Sequence, residues 1–162
     1  MSVVGNTHNR SYAAVPSSVG DARSALGELA VRAGAPAETV DAVRLAVSEV
    51  VTNGAMHAYG EAPGTIQVTG AALDDELWIL VSDEGRGLHA GTDSPGLGLG
   101  LALVSQVADD FSIVSRAAGG TEVRIRFNLV PDQRTPDGGE GQLRGSVAAA
   151  SRPASARFST TT

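Results

Sequence analysis

The hydrophobic positions of this chain change period along its length. "SSVGDARSALGELAVRAG" repeats apolar residues at helical intervals, Val19, Ala22, Leu26, Leu29 and Ala30, and stops at Gly34, a good helix terminator. "PAETVDAVRLAVSEVVTNGAMHAYG" opens with Pro36 in a first-turn position and places Val40, Val43, Val47, Val50 and Val51 on one face. That spacing predicts a long helix of about six turns. Elsewhere the period shortens. "RSYAAV" reads as a first strand stopped by Pro16, and "TIQVTGAAL" and "ELWILVSD" as a hairpin turning at Asp74 and Asp75. "GLALVSQVADD" predicts a short helix. "FSIVSRAAGGTEVRIRFNLV" predicts a second hairpin turning at Gly119 and Gly120, in which Val123, Ile125 and Phe127 alternate with Glu122, Arg124 and Arg126. The order β, α, α, ββ, α, ββ contains no internal repeat. It predicts an α+β fold, a two-layer α/β sandwich with helices on one face of a largely antiparallel mixed sheet.

Composition sets the limits of the domain. From Pro131 onward the chain is rich in Gly, Pro, Ser, Ala and Arg with little apolar periodicity, and 131–162 reads as a disordered tail. Residues 1–9 read as a flexible N-terminus and 10–130 as one folded domain, which suits a length of 162 residues and a hydrophobic content of 42%. A formal charge of −6 lacks the basic footprint that displaces counterions from nucleic acid, so no direct nucleic-acid partner is expected. There is no cysteine, and His8, His57 and His89 have no metal-ligand spacing. No leader pattern and no apolar run of about 18 residues is present, so a cytoplasmic protein without a membrane partner is expected. All twelve basic residues are arginine, which excludes a P-loop and its lysine.

Val81 to Val104, "VSDEGRGLHAGTDSPGLGLGLALV", carries glycine at 85, 87, 91, 96, 98 and 100. "GRGLHA" satisfies a dinucleotide fingerprint, but the sequence continues "HAGTDSP" where that fingerprint should open a helix. Strong apolar segments on both sides argue against a flexible linker. Two parts remain: a strand ending in Asp83 followed by Gly85 and Gly87, and Gly96, Gly98 and Gly100 running into a helix. Glycines at a helix N-terminus leave backbone N–H groups open to an anion such as phosphate. A carboxylate at a strand end can accept from an exocyclic amine. Tight turns alone would account for either half. In the long helix, however, Glu49, Asn53 and His57 lie four apart and form a stripe offset from the valine face. This sets a potential base beside a neutral oxygen ligand of the kind magnesium accepts.

With these three motifs in this order, the chain resembles the Bergerat-fold ATPases, the superfamily of gyrase, chaperone, histidine kinase and mismatch-repair proteins. "EVVTNGAMHAYG" is similar to their N box, "DEGRG" to the first glycine box and "GLGLGLALV" to the second. Within that superfamily it most resembles the bacterial anti-sigma factor serine-protein kinases, over about residues 10 to 130. The resemblance implies ATP and Mg2+ as cofactors. It implies that Asn53 holds the magnesium ion, that Glu49 is the base taking the proton from a substrate serine, and that Asp83 accepts from the adenine amino group. Gly85 and Gly87 would approach the base, Gly96, Gly98 and Gly100 would lie at the phosphates, and Thr121 would support the adenine contact. Arg23 matches a partner-facing position on the first helix. The implied partners are a sigma factor, which is sequestered, and an anti-anti-sigma STAS-domain protein, which is phosphorylated on serine; homodimers are usual in the family.

Two features depart from the family pattern. Gly54 stands where alanine is usual, at a cost of roughly 1 kcal/mol of helix propensity unless close packing rewards it. Leu88 to Pro95, between the two glycine boxes, is a short lid with no arginine or lysine, and the nearest cation, Arg86, precedes it. A nucleotide-gated binding protein that sequesters a regulator without transferring phosphate is the alternative reading.

Overall fold

The computed structural model describes residues 6–60, 62–85 and 97–130, without the side chains of residues 97 and 98. In chain order the elements are β1 (Thr7–Ala13), α1 (Ser18–Arg32), α2 (Ala37–His57), β2 (Thr65–Leu73), β3 (Glu76–Asp83), α3 (Leu97–Val107), β4 (Asp110–Ser115) and β5 (Thr121–Asn128). The strands form one sheet in the order β1-β2-β3-β5-β4, and every pairing between described neighbours is antiparallel.

The predicted elements are all present, with shifted ends at two of them. The first strand begins at Thr7 rather than Arg10, inside the segment expected to be flexible, because Thr7, His8 and Asn9 pair with Ala71, Gly70 and Thr69 of β2. A strand edge needs only backbone partners, so its polar residues gave no alternating signal. α3 begins at Leu97 rather than Gly100. Gly34 ends α1 as expected: it has a φ of +83°, its N–H donates to Val31, and the Ala35 N–H donates back to Ala30, a Schellman closure.

The layers follow from period. Ile66, Val68, Leu77, Ile79, Val81, Val123, Ile125 and Phe127 turn to one face of the sheet, where Ala22, Leu26, Leu29 and Ala30 of α1 and the five α2 valines bury them in a single core. The intervening residues make a polar outer face. On it Arg126 donates to Glu76 at 2.8 Å and lies 5.8 Å from the Trp78 ring, while the Trp78 indole donates to the same carboxylate at 3.0 Å.

Two glycines set how close the layers come. At Gly54 an added Cβ would lie 2.9 Å from Cδ1 and 3.2 Å from Cγ1 of the buried Ile66, so α2 sits on β2 at a distance that a larger residue would force apart. At Gly70 an added Cβ would lie 2.5 Å from Leu26 Cδ1 and 2.7 Å from Leu29 Cδ2, both in the core. Gly70→Val is therefore expected to destabilise the protein by about 1–3 kcal/mol through overpacking. In urea denaturation the cost should shrink in a Leu26→Ala background, where the truncated side chain leaves room.

Candidate functional site

α2 is turned so that its valines enter the core and its polar stripe lies along the boundary. Val40, Val43, Val47, Val50 and Val51 are buried, Glu49 and Asn53 are half-buried, and His57, in the last helical turn, is exposed. The Glu49 side chain lies against Gly100 of α3, occupying the space a Cβ at that position would need, with its Cδ 3.3 Å and its Cβ 3.6 Å from that point. One turn further along α2 is Asn53. Its Nδ2 is buried and has no hydrogen-bond partner among the described residues. Buried amides are almost always paired, so one without a described partner is open to a further group, and an amide turned about its last bond offers either its nitrogen or its oxygen. Among the described residues no group of three or more histidines or acids could cage a metal ion. The residues fit a magnesium ion shared with substrate phosphates, the mode in which protein supplies one or two oxygen ligands.

A second group forms at the end of β3. Asp83 accepts the Gly85 N–H on Oδ1 at 2.9 Å, and its carbonyl oxygen accepts from Arg116 Nη1 at 3.3 Å. Burial pushes the Asp83 carboxyl above the usual carboxylate range, and the backbone N–H groups of Gly85 and Thr121 and the Arg116 charge offset part of that rise. Thr121 is buried where β5 begins. Gly120, at φ +88°, lies on the Asp83 carbonyl, where an added Cβ would come within 2.8 Å of the Asp83 carbonyl carbon and of Glu84 Cα. Gly85 lies as closely on the Ala58 carbonyl at the α2 C-cap, with an added Cβ 2.5 Å from its carbonyl carbon.

One helix therefore touches both groups, Glu49 meeting the second glycine segment and Ala58 the first. Of the sequence-predicted residues, the structure sets Glu49 against Gly100, with Asn53 one turn further along α2, and separately gathers Asp83, Gly85 and Thr121 at the end of β3. Gly98 lies in the first turn of α3. Gly87, Gly96, Arg86 and the Leu88 to Pro95 segment lie outside the described residues. Arg23 is an exposed residue of α1 and belongs to neither group. Sequence reasoning missed Arg116 and Tyr59. Tyr59 follows the asparagine stripe, and its hydroxyl accepts the Glu84 N–H at 2.8 Å; Arg116 opens a hairpin turn, where no periodicity marks it. A shallow cleft of about 400 Å³ lined by Tyr59, Pro63, Gly64, Thr65 and Glu84 opens beside this turn, but it contains neither Glu49 nor Asn53.

Comparison with known proteins adds the family. The model of the histidine kinase-like ATPase domain matches residues 12–127. The anti-sigma F factor of Clostridium acetobutylicum is 32% identical over 108 residues, covering 59% of this chain and 76% of that protein. The serine-protein kinase RsbW of Listeria monocytogenes is 33% identical over 116 residues, covering 62% of this chain and 74% of that protein. Blue-light-activated histidine kinase 2 of Erythrobacter litoralis is 35% identical over 114 residues, but the match spans 33% of its length. The crystal structure of the RsbU and RsbW domains of Rv1364c from Mycobacterium tuberculosis superposes with a TM-score of 0.57 at 22% identity, over 76% of this chain and 32% of that one, and shares the fold.

The raised Asp83 carboxyl has a consequence for stability. The folded state holds this proton more tightly than the unfolded chain, so the contribution is present below the unfolded value and is lost as pH rises through the folded one. Urea unfolding of the unsubstituted protein and of Asp83→Asn across that range should show the difference shifting in favour of asparagine as pH rises. A constant difference would contradict the raised carboxyl.

Proposed function

This chain belongs to the histidine kinase-like ATPase family, and from that premise we propose that it is an ATP-binding anti-sigma regulatory factor that phosphorylates a serine on an anti-anti-sigma partner and sequesters a sigma factor. The observation that carries this reading is the meeting of α2 and α3, where Glu49 lies against Gly100 and Asn53, whose buried Nδ2 has no partner among the described residues, follows one turn later. The anti-sigma F factor and RsbW relatives, each matched over about three quarters of its length, support the same role.

In this mechanism Asp83 accepts from the adenine amino group, with the Gly85 N–H holding its carboxylate and Thr121 supporting the contact from the start of β5. Gly98 and Gly100 lie at the start of α3, where backbone N–H groups face a phosphate without Cβ interference. Asn53 would supply a neutral oxygen to a magnesium ion, which when bound neutralises phosphate charge. Glu49 takes the proton of the substrate serine hydroxyl as its oxygen attacks the γ-phosphorus. The bond from the γ-phosphorus to the bridging oxygen breaks, and ADP leaves. The two carboxylates have separate duties: Asp83 reads the base, and Glu49 moves the proton.

The non-catalytic alternative is favoured by one observation, the absence of arginine and lysine from Leu88 to Pro95. Variants separate the two. Glu49→Gln should bind ATP and lower phosphoryl transfer by about 10²–10⁴-fold, the usual contribution of a general base, while Asn53→Ala should lose magnesium-dependent ATP binding. Transfer is measured with radiolabelled ATP on a STAS-domain protein captured from the host, and the product should be stable to acid and labile to base. If Glu49→Gln leaves regulation in cells intact while Asn53→Ala abolishes it, the non-catalytic reading wins.

Gly100→Ala provides an independent test of the same juxtaposition. The added methyl displaces the end of the Glu49 side chain, which is free to rotate, while alanine is favoured over glycine in a helix by about 1 kcal/mol. Thermal stability should be retained or raised while phosphoryl transfer falls.

A further inference from the structure

We infer that Tyr59 is the positioning residue of the base-reading turn, its hydroxyl holding the peptide after Asp83 and so fixing where the Asp83 carboxylate meets the nucleobase. The inference rests on the proposed nucleotide binding and goes beyond it in assigning a role to a residue that need not touch the ligand.

The hydrogen-bond directions leave no ambiguity. The Glu84 N–H can only donate, so the Tyr59 oxygen accepts it, at 2.8 Å; the hydroxyl proton then goes to the Thr65 carbonyl, at 2.6 Å. One hydroxyl thus joins two strands' ends, since Thr65 opens β2 and Glu84 follows β3. The anchor beneath it is firm. The ring lies flat on Gly64, where an added Cβ would fall among Cγ, Cδ1 and Cδ2, and the Gly64 carbonyl is itself held by the Ala14 N–H at 2.9 Å.

The position of Tyr59 in the chain gives the contact its function. It lies just past the α2 C-cap, so Ala58 packs on Gly85 and Tyr59 bonds Glu84, two successive residues of one segment gripping two successive residues of the other. α2 carries Glu49 and Asn53, and the gripped turn carries Asp83. Gly85 bonds the Asp83 carboxylate, and Arg116, from the turn between β4 and β5, bonds the carbonyl of the peptide that follows it. Tyr59 holds the N–H of that peptide from the end of the helix that bears the phosphate-end residues, and so sets the span between the two ends of a bound nucleotide.

Tyr59→Phe keeps the ring on Gly64 and removes both hydrogen bonds. The readout is the preference for ATP over inosine triphosphate, which carries a carbonyl in place of the amino group that Asp83 accepts from. Loss of a positioning contact worth one or two hydrogen bonds should lower ATP affinity about five- to tenfold and inosine triphosphate affinity less than about twofold, so the preference shrinks. A merely structural tyrosine would weaken both nucleotides alike. If the unsubstituted protein prefers ATP and Tyr59→Phe preserves that ratio, the assignment to Tyr59 is overturned while the nucleotide reading stands. If the unsubstituted protein shows no preference, base reading by Asp83 fails and the role of Tyr59 with it. Amide hydrogen exchange on the unsubstituted protein tests the contact without any variant: the Glu84 amide should be protected before nucleotide is added, and free exchange there would overturn the inference.

Discussion

The burial of one face of α2 fixes the rest of the molecule. Five valines lock the helix against the sheet and α1, each worth about 1.5–3 kcal/mol of removed apolar surface. A helix so held cannot rotate, because a shift of one residue would turn its faces by about 100° and bring polar side chains into the core. Every other feature of α2 is then determined. Gly54 must face Ile66, Glu49 must face α3, and the helix must end where Ala58 meets the turn after β3. The glycine that looks like a weak point in the helix is therefore a consequence of how closely α2 lies on β2.

Because α2 is rigid, it relates two chemically different ends of the proposed site. At one end the Glu49 carboxylate lies against Gly100 of α3 with the Asn53 amide one turn further along α2, and a phosphate bound there would be repelled by Glu49 unless a cation intervened. Asn53 is neutral, so under the proposed function it would add a ligand to such a cation without adding charge. At the other end Asp83 is half-buried, and its charge is supported by N–H groups from Gly85 and Thr121 and by Arg116. Both ends depend on glycine for room: Gly100 accepts the Glu49 side chain, Gly85 lies on a carbonyl, and Gly120 combines a left-handed backbone with contact on Asp83. The glycine-rich character of the chain is thus steric at the described positions as much as conformational.

Much of this was legible in one dimension. The valine spacing, the alternation of Val123, Ile125 and Phe127 and the terminator at Gly34 are local statements of period and backbone freedom, and each reappears in the fold. The same holds for Glu49 and Asn53: residues four apart on a helix share a face whatever that helix packs against. The polar strand residues Thr7 to Asn9 were not legible, because their order comes from backbone pairing with β2 and leaves no pattern in their own side chains.

What the sequence by itself determined is therefore periodic: which residues form helices and strands, which faces are apolar, and which polar groups share a face. What only the tertiary structure decided is where segments distant in the chain come together. It set Gly100 against Glu49, Gly120 against Asp83, and the Tyr59 hydroxyl on the Glu84 amide, 25 positions away. Such contacts are made between elements whose relative positions follow from close packing of the whole core, and a side chain carries no sign of them until that core has formed.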